Sequence, residues 1–163
     1  NREVMLNAEK LIDESITSLK EISNKLSPHV LNNFGLRKAV KSFIAHLPPT
    51  GSLSIIFDSN LAEDRFSYNV EVVLYRVICE LITNSLRHSG ARNLFISLMK
   101  EESHIKLDYL DDGVGFDQAI LELDNKGMGF DNIRSRIKSL NGSLDIYAVP
   151  NEGVRVNVSI ELN

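Results

Sequence analysis

The first part of the chain carries apolar positions at helical spacing. Apolar or small residues recur at steps of three and four between charged residues, which predicts one helix over residues 1 to about 26. These positions are Val4, Ala8, Leu11, Ser15, Leu19, Ile22 and Leu26. So narrow a stripe fits either a helix packed on its own domain or a seam between helices of a bundle, and we favour the seam. Ser27-Pro28 predicts the end of this helix, because the residue before a proline disfavours helical geometry.

The remaining pattern alternates between helical and strand periodicity. A second helix is predicted over residues 30–45, followed by a break at Pro48-Pro49-Thr50-Gly51. Its apolar set is Leu31, Phe34, Leu36, Val40, Phe43 and Ile44. Beyond the break we expect strands over residues 52–59, 93–100, 104–109, 143–149 and 155–162. We expect a helix from Asn69, as its N-cap, to about Arg87, ended by Gly90, and another over residues 131–140.

This order of elements predicts a two-layer α/β sandwich. Strands that follow each other through tight turns favour a mixed or largely antiparallel sheet, with the helices covering one face. A helical segment precedes this sandwich. We place the boundaries at residues 1–27 for the first helix, 28–51 for a linker with the second helix, and 52–163 for the globular domain.

Composition limits the class of protein. A chain of 163 residues with 43% hydrophobic residues can form one compact domain with a small appendage. The net charge of −4 gives no indication of a nucleic-acid partner. The single cysteine, Cys79, excludes an internal disulfide, and we expect it to be a buried thiol. No apolar run approaches the roughly 20 residues of a membrane span. The chain starts at Asn1 rather than at a methionine, so we expect a segment of a longer protein.

One face of the helix predicted from Asn69 to Arg87 is polar. Glu80, Asn84, Arg87 and His88 share this face. Mg²⁺ prefers oxygen ligands and shares them with substrate phosphates, so the amide of Asn84 would suit it. Arg87 and His88 could then meet phosphate charge. Taken alone, the same pattern fits an ordinary solvated helix face.

Two glycine turns follow this helix. Asp111-Asp112-Gly113-Val114-Gly115 comes at a strand end, where glycines permit a close ligand and a carboxylate could accept a hydrogen bond from an exocyclic amine. Gly127-Met128-Gly129 opens a helix, whose free N–H groups suit phosphate. A plain acidic turn and a glycine-rich helix cap are the alternatives. A dinucleotide-binding fingerprint is excluded, because no third glycine or βαβ unit is in place, and a Walker sequence is absent.

The order and spacing of these parts resemble the Bergerat ATP-binding fold of gyrases, Hsp90 chaperones, MutL proteins and histidine kinases. Within it, the chain is similar to sensor histidine kinases of the nitrate-sensor and thermosensor type. Three stretches carry the resemblance: residues 26–40 (LSPHVLNNFGLRKAV), residues 74–91 (LYRVICELITNSLRHSGA) and residues 127–146 (GMGFDNIRSRIKSLNGSLDI). The short loop between the glycine turns argues against the gyrase-like and chaperone-like relatives.

The resemblance implies a set of site residues with ATP and Mg²⁺ as cofactors. Asn84 would bind Mg²⁺, and Glu80 would be a catalytic residue that orients the acceptor imidazole or takes its proton. Arg87 and His88 would lie near the phosphates, and Asp111 would bind adenine. The other expected nucleotide contacts are Gly113, Gly115, Phe116, Lys126, Gly127, Met128, Gly129 and Phe130, with residues 116–126 as the lid.

The chain departs from the family pattern at two points. Val154 stands where such kinases usually carry a threonine that helps to hold adenine. None of the histidines is followed by an acidic residue, as the phosphoacceptor of that family is; they are His29, His46, His88 and His104. We therefore expect the acceptor on a helix upstream of Asn1, with residues 1–27 as the second helix of the dimerisation bundle.

The resemblance also implies the wider context. We expect a homodimeric, membrane-anchored sensor with this part in the cytoplasm, and a response regulator of the LuxR/NarL type as partner. Two other functions stay open: a catalytically degenerate nucleotide-binding or dimerising module, for which Val154 is the hint, and a Ser/Thr kinase of the anti-sigma type. The N-terminal helix argues against the latter, because such kinases lack a dimerisation hairpin.

Overall fold

The computed structural model describes residues 2–48, 53–122 and 129–162. The elements in chain order are α1 (Arg2–Ala45), β1 (Ser54–Ser59), α2 (Tyr68–Asn84), a π-helical turn (Ser85–Ser89), β2 (Asn93–Glu101), β3 (His104–Asp111), a 3₁₀ turn (Gln118–Glu122), α3 (Phe130–Lys138), β4 (Ser143–Val149) and β5 (Gly153–Glu161). The strands form one sheet in the order β1-β2-β3-β5-β4. Only the β1–β2 pairing is parallel, so the sheet is mixed and the expected fold class is confirmed.

One core joins the sheet to the helices. Leu94, Ile96 and Leu98 of β2 are buried while the residues between them are more exposed, as the alternation predicts. The apolar faces of α2, α3 and the end of α1 pack on this side of the sheet. Cys79 is a buried free thiol, as expected. Among the described residues, no helix combines the length and the hydropathy that a bilayer span requires.

The predicted break of the first helix at Ser27-Pro28 is wrong. The helix continues through these residues, and the interruption of α1 lies at Gly35, whose φ of 78° and ψ of 177° are not helical. A proline removes one N–H donor and so costs a helix one hydrogen bond, whereas the conformation at Gly35 is nearly restricted to glycine. The chain therefore changes direction at the glycine and not at the proline.

Other expectations for the helices also change. Phe34, assigned to an apolar face, is 54% exposed, because the break at the next residue turns it away from the core. Of the N-terminal stripe, Val4, Ala8 and Leu11 are exposed, so they do not pack on the described part of the chain. The helical seam therefore stays a prediction. Helix α2 begins at Tyr68, after Ser67 in the cap position, rather than after Asn69.

Arg65 connects the break in α1 to the start of α2. Its guanidinium donates hydrogen bonds to the carbonyl oxygens of Leu31 (2.9 Å) and Asn32 (3.2 Å), which the interruption at Gly35 deprives of helical partners. It also donates to both carboxylate oxygens of Glu71, at 2.9 and 3.1 Å. The hydrogen bond and charge of Glu71 hold the pKa of Arg65 above its usual value. One side chain therefore fixes both helices.

We predict that Gly35→Ala destabilises the fold by about 1–3 kcal/mol, because alanine is strained at this φ and ψ. A Cβ at this position would also lie 3.1 Å from Cδ of Arg65, in the same connection. The free energy of unfolding from urea denaturation measures the effect. Gly90→Asn is the matched control: Gly90 also has a positive φ (58°), but a Cβ there meets nothing within 4 Å and asparagine tolerates this region. Equal losses in the two variants would contradict the prediction.

Candidate functional site

A cavity lies where the end of α2 meets the end of β3 and the start of α3. Six of the residues expected in a nucleotide site line it: Asn84, His88, Asp111, Gly115, Phe116 and Phe130. Four further lining residues were not expected there: Leu81, Ser85, Ser89 and Tyr109. The last lining residue is Val154, at the position of the family's threonine. The fold therefore brings the Asn84 helix and the first glycine turn together around one space.

The π-helical turn sets the side chains at the end of α2. It follows Asn84 directly and ends at Gly90, which takes the left-handed conformation (φ 58°) expected of a helix end. Ser85 and Ser89 of this turn are buried, and Ser89 Oγ donates to the Ser85 carbonyl oxygen at 2.8 Å. His88 stays exposed at the cavity rim. The turn thus directs two hydroxyl side chains inward from the helix end.

Asp111 is the most enclosed charged group of the cavity. It ends β3 with only 3% of its surface exposed. Ser85 Oγ donates to its Oδ2 at 2.9 Å, and the Tyr109 hydroxyl contacts the same oxygen at 3.1 Å. The backbone N–H of Gly113 donates to Oδ1 at 3.0 Å. Neutral hydrogen-bond donors therefore stabilise this buried carboxylate.

Tyr109 and Ser85 also contact each other through their hydroxyls. The Tyr109 hydroxyl lies 3.2 Å from the carbonyl oxygen of Leu81, one turn before Ser85 in α2. Burial, followed by the charge of Asp111, raises the pKa of the Tyr109 hydroxyl. Tyr109 therefore remains a protonated donor beside Asp111 at any physiological pH.

The glycines of the first turn are required by close backbone contacts. A Cβ at Gly113 would lie 2.4 Å from the carbonyl oxygen of Ser89, and one at Gly115 would lie 2.0 Å from that of Val149. The intervening Val114 donates its N–H to the Ser89 oxygen at 2.7 Å. The turn is thus held between the π-helical turn and the β4–β5 hairpin, with no room for side chains at its glycines.

The second glycine turn is described in part. Lys126, Gly127 and Met128 lie outside the described residues, as do residues 123–125 of the expected lid. Gly129 has a φ of 78° and precedes α3, and a Cβ there would lie 2.3 Å from Glu80 Oε1. Glu80 of α2 therefore packs under this turn, and it is not among the residues that line the cavity.

Two aromatic rings flank the cavity. The rings of Phe116 and Phe130 lie 5.6 Å apart between centroids. Both residues line the cavity.

The expected phosphate contact Arg87 is not a lining residue of the cavity. Its Nη2 lies 3.8 Å from Oδ1 of the exposed Asp13 on α1. Of the two basic residues that were expected near the phosphates on this helix, the described structure thus places His88 at the cavity and Arg87 against α1.

Sequence reasoning missed Ser85 and Tyr109. Both had a signal: Ser85 follows Asn84, and Tyr109 lies two residues before Asp111 on the same face of the strand. Helical periodicity places residue 85 on the buried face of α2, four residues after Leu81, and the pattern alone gives no reason to expect a ligand site on that face. The hydroxyl pair could therefore be located only in the folded chain.

Comparisons with known proteins agree with this arrangement. Residues 69–163 match the family model described as "Histidine kinase-, DNA gyrase B-, and HSP90-like ATPase". The chain therefore belongs to this family of ATPases, and the ATP-binding fold expected from the motifs is confirmed.

The individual relatives are histidine kinases. The sensor histidine kinase ComP of Bacillus subtilis (strain 168) is 30% identical over 151 residues, which cover 93% of this chain and 20% of ComP. The chain thus spans about a fifth of that relative's length. The catalytic domain of histidine kinase ThkA shares the fold with a TM-score of 0.62 at 16% identity, over 81% of this chain and 92% of that one. The histidine kinase AdeS of Acinetobacter baumannii gives a TM-score of 0.59 at 19% identity, over 99% and 83% of the two chains.

We predict that Gly115→Ala disrupts the cavity. The variant combines an alanine at positive φ (55°) with an overlap against the Val149 oxygen, so the loss of stability should exceed the roughly 1–2 kcal/mol of the backbone strain alone. Thermal unfolding measures the loss. Val114→Ala is the control within the same turn, because that side chain is 54% exposed and its removal leaves the backbone contacts in place. A Gly115→Ala variant as stable as the control would show that the turn is not packed as described.

Proposed function

We propose that this chain is the ATP-binding catalytic module of a two-component sensor histidine kinase. It would present ATP to a histidine that lies upstream of this segment in the longer protein. The observation that carries the proposal is the position of buried Asp111 and half-buried Asn84 in the lining of one cavity. The family and the similarity to ComP support the same function.

The cavity suits an adenine nucleotide. An ionised carboxylate has about four acceptor positions, and the contacts from Ser85, Tyr109 and Gly113 occupy at most three of them at Asp111. The remaining position can accept a hydrogen bond from the 6-amino group of adenine. Phe116 and Phe130 offer apolar surface to the base. Helix α3 begins at this cavity, so its first N–H groups can face phosphate oxygens.

Mg²⁺ fits the same site as a shared ion. Among the described residues, no group of three or more His, Cys, Asp or Glu side chains is arranged to hold a metal ion. The amide oxygen of Asn84 would therefore act together with phosphate oxygens, the arrangement that Mg²⁺ commonly takes in kinases. ATP supplies the phosphoryl group, and the ion offsets the charge of its phosphates.

The remaining site residues have proposed roles in positioning. His88 lies at the cavity rim, where its ring can meet phosphate charge. Arg87 would need to leave Asp13 to do the same. Glu80 lies under Gly129, from which it could orient the incoming imidazole or take its proton. Lys126, Gly127 and Met128 would complete the phosphate side. Phosphoryl transfer depends mainly on such positioning and charge stabilisation.

We extend the proposal to the parent protein. The resemblance to nitrate-sensor kinases favours a homodimer in which α1 contributes to the helical bundle, and the exposed Val4, Ala8 and Leu11 suit such a seam. A response regulator of the LuxR/NarL type would then receive the phosphoryl group. The kinase would be membrane-anchored, with this module on the cytoplasmic side, where ATP is available.

A second candidate function is nucleotide binding or dimerisation without catalysis. It is favoured by Val154, an apolar side chain that lines the cavity where related kinases carry a threonine. Titration calorimetry of this chain with ATP and Mg²⁺ shows whether it binds nucleotide. Phosphorylation of the complete protein then separates a catalytic kinase from a protein that only binds nucleotide.

We predict that Asn84→Ala in the complete kinase lowers histidine labelling from γ-labelled ATP by about 100-fold, the usual loss when one charge-stabilising group is removed. Asn69→Ala is the control, because Asn69 is exposed in the first turn of the same helix and distant from the cavity. Undiminished labelling in Asn84→Ala would reject the role of Asn84. Binding of ATP by a wild-type kinase that is never labelled would favour the non-catalytic function.

A further inference from the structure

We propose that the hydroxyl groups of Ser85 and Tyr109 determine the base specificity of the cavity, by holding Asp111 in the position that accepts a purine amino group. This inference rests on the proposed ATP binding and assigns a function to two side chains that the proposed catalytic set does not use. They act through Asp111, so they are positioning residues.

The geometry makes these hydroxyls a support for one carboxylate oxygen. Both contact Asp111 Oδ2, at 2.9 Å from Ser85 Oγ and 3.1 Å from the Tyr109 hydroxyl, and they contact each other. The Tyr109 hydroxyl is in turn within 3.2 Å of the Leu81 carbonyl oxygen. A carboxylate with donors on one oxygen from the helix and the strand cannot rotate without losing both contacts.

Because the two hydroxyls are buried, their removal would change the surroundings of Asp111 Oδ2. Ser85, Tyr109 and Asp111 are each only 3% exposed, and the hydroxyl oxygens fill the space beside Oδ2. If both hydroxyls were removed, the vacated space would be polar, with the Leu81 and Asp111 oxygens as partners for a water molecule. A water molecule can move and reorient as a whole, whereas each hydroxyl oxygen is held in place by its side chain.

Specificity follows from what happens when the ligand lacks its amino group. In the native cavity, a base without this donor leaves the acceptor position of the fixed, buried carboxylate unfilled, which is costly. With water beside Oδ2 in place of the hydroxyls, the carboxylate is no longer held, so it can turn its unfilled acceptor position toward this water when the base offers no donor. Removing the hydroxyls should therefore reduce discrimination between bases more than it reduces the affinity for ATP.

The test compares ATP with purine riboside 5′-triphosphate, which carries hydrogen in place of the 6-amino group. The measured quantity is the ratio of the two dissociation constants in Mg²⁺, for wild type, Ser85→Ala, Tyr109→Phe and the double variant. One hydrogen bond to a charged group predicts a ratio on the order of 10–100 for wild type. We expect each single variant to lower it and the double variant to bring it to within about threefold of unity.

Two further variants separate positioning from general damage. Ser85→Thr keeps a hydroxyl at the same atom and should keep the wild-type ratio. Thr83→Val removes another buried hydroxyl of α2, one that donates to the Cys79 carbonyl oxygen at 2.7 Å, and should leave the ratio unchanged. Thermal unfolding confirms that each variant is folded. If the double variant does not fold, the single variants decide, and each should lower the ratio at least about twofold.

The outcomes distinguish this inference from the function on which it rests. Wild-type protein that binds neither nucleotide would remove the proposed function and this inference with it. Wild-type protein that prefers ATP, with the same ratio in the Ser85 and Tyr109 variants, would overturn only the assigned specificity. Equal weakening of both nucleotides in folded variants would also overturn it, because the hydroxyls would then support the cavity without selecting the base.

Discussion

The contact on which the site depends is the ion pair between Arg65 and Glu71. Glu71 lies in the first turn of α2 and is 1% exposed, so its carboxylate needs a partner at all times. Arg65 supplies that partner and caps the carbonyl oxygens that the break at Gly35 frees in α1. Glu71 also accepts the N–H of Phe66 at 3.1 Å, which fixes the chain just before the helix. The start and direction of α2 are therefore set at the end far from the cavity.

The residues at the other end of α2 line the cavity. The helix reaches Asn84 and then widens into the π-helical turn, which brings Ser85 and Ser89 against the first glycine turn. On the sheet side, a Cβ at Gly153 would lie 2.0 Å from the Asp111 carbonyl oxygen, so β5 packs directly against the end of β3. Asp111 is thus enclosed by a helix end, a turn and a neighbouring strand. Such enclosure permits a single charged group to select a ligand.

The sequence predicted the elements whose signals are local. The strand over residues 143–149 matches β4 at both ends, and Gly90 takes the left-handed end of the helical segment. Alternation along β2 identified its buried face. The features that the sequence did not predict involve distant residues: the break at Gly35 is stabilised by Arg65, thirty positions later, and Ser85 contacts Tyr109 on another element. Of the candidate site, motif spacing predicted Asn84, Asp111 and Gly115, which line the cavity, whereas the supporting hydroxyls belong to no motif.

The same hydroxyls bear on the departure at Val154. A valine that lines the cavity removes a polar group from the β5 side, and this alone would favour a degenerate site. Asp111 has polar partners without a threonine, however, because Ser85 of the π-helical turn and Tyr109 of β3 both contact its Oδ2. Val154 is 7% exposed, so it adds a buried apolar wall to the cavity and no competing hydrogen-bond donor. The valine is therefore compatible with a selective adenine site, and the reason for assigning this chain a function without catalysis is correspondingly weaker.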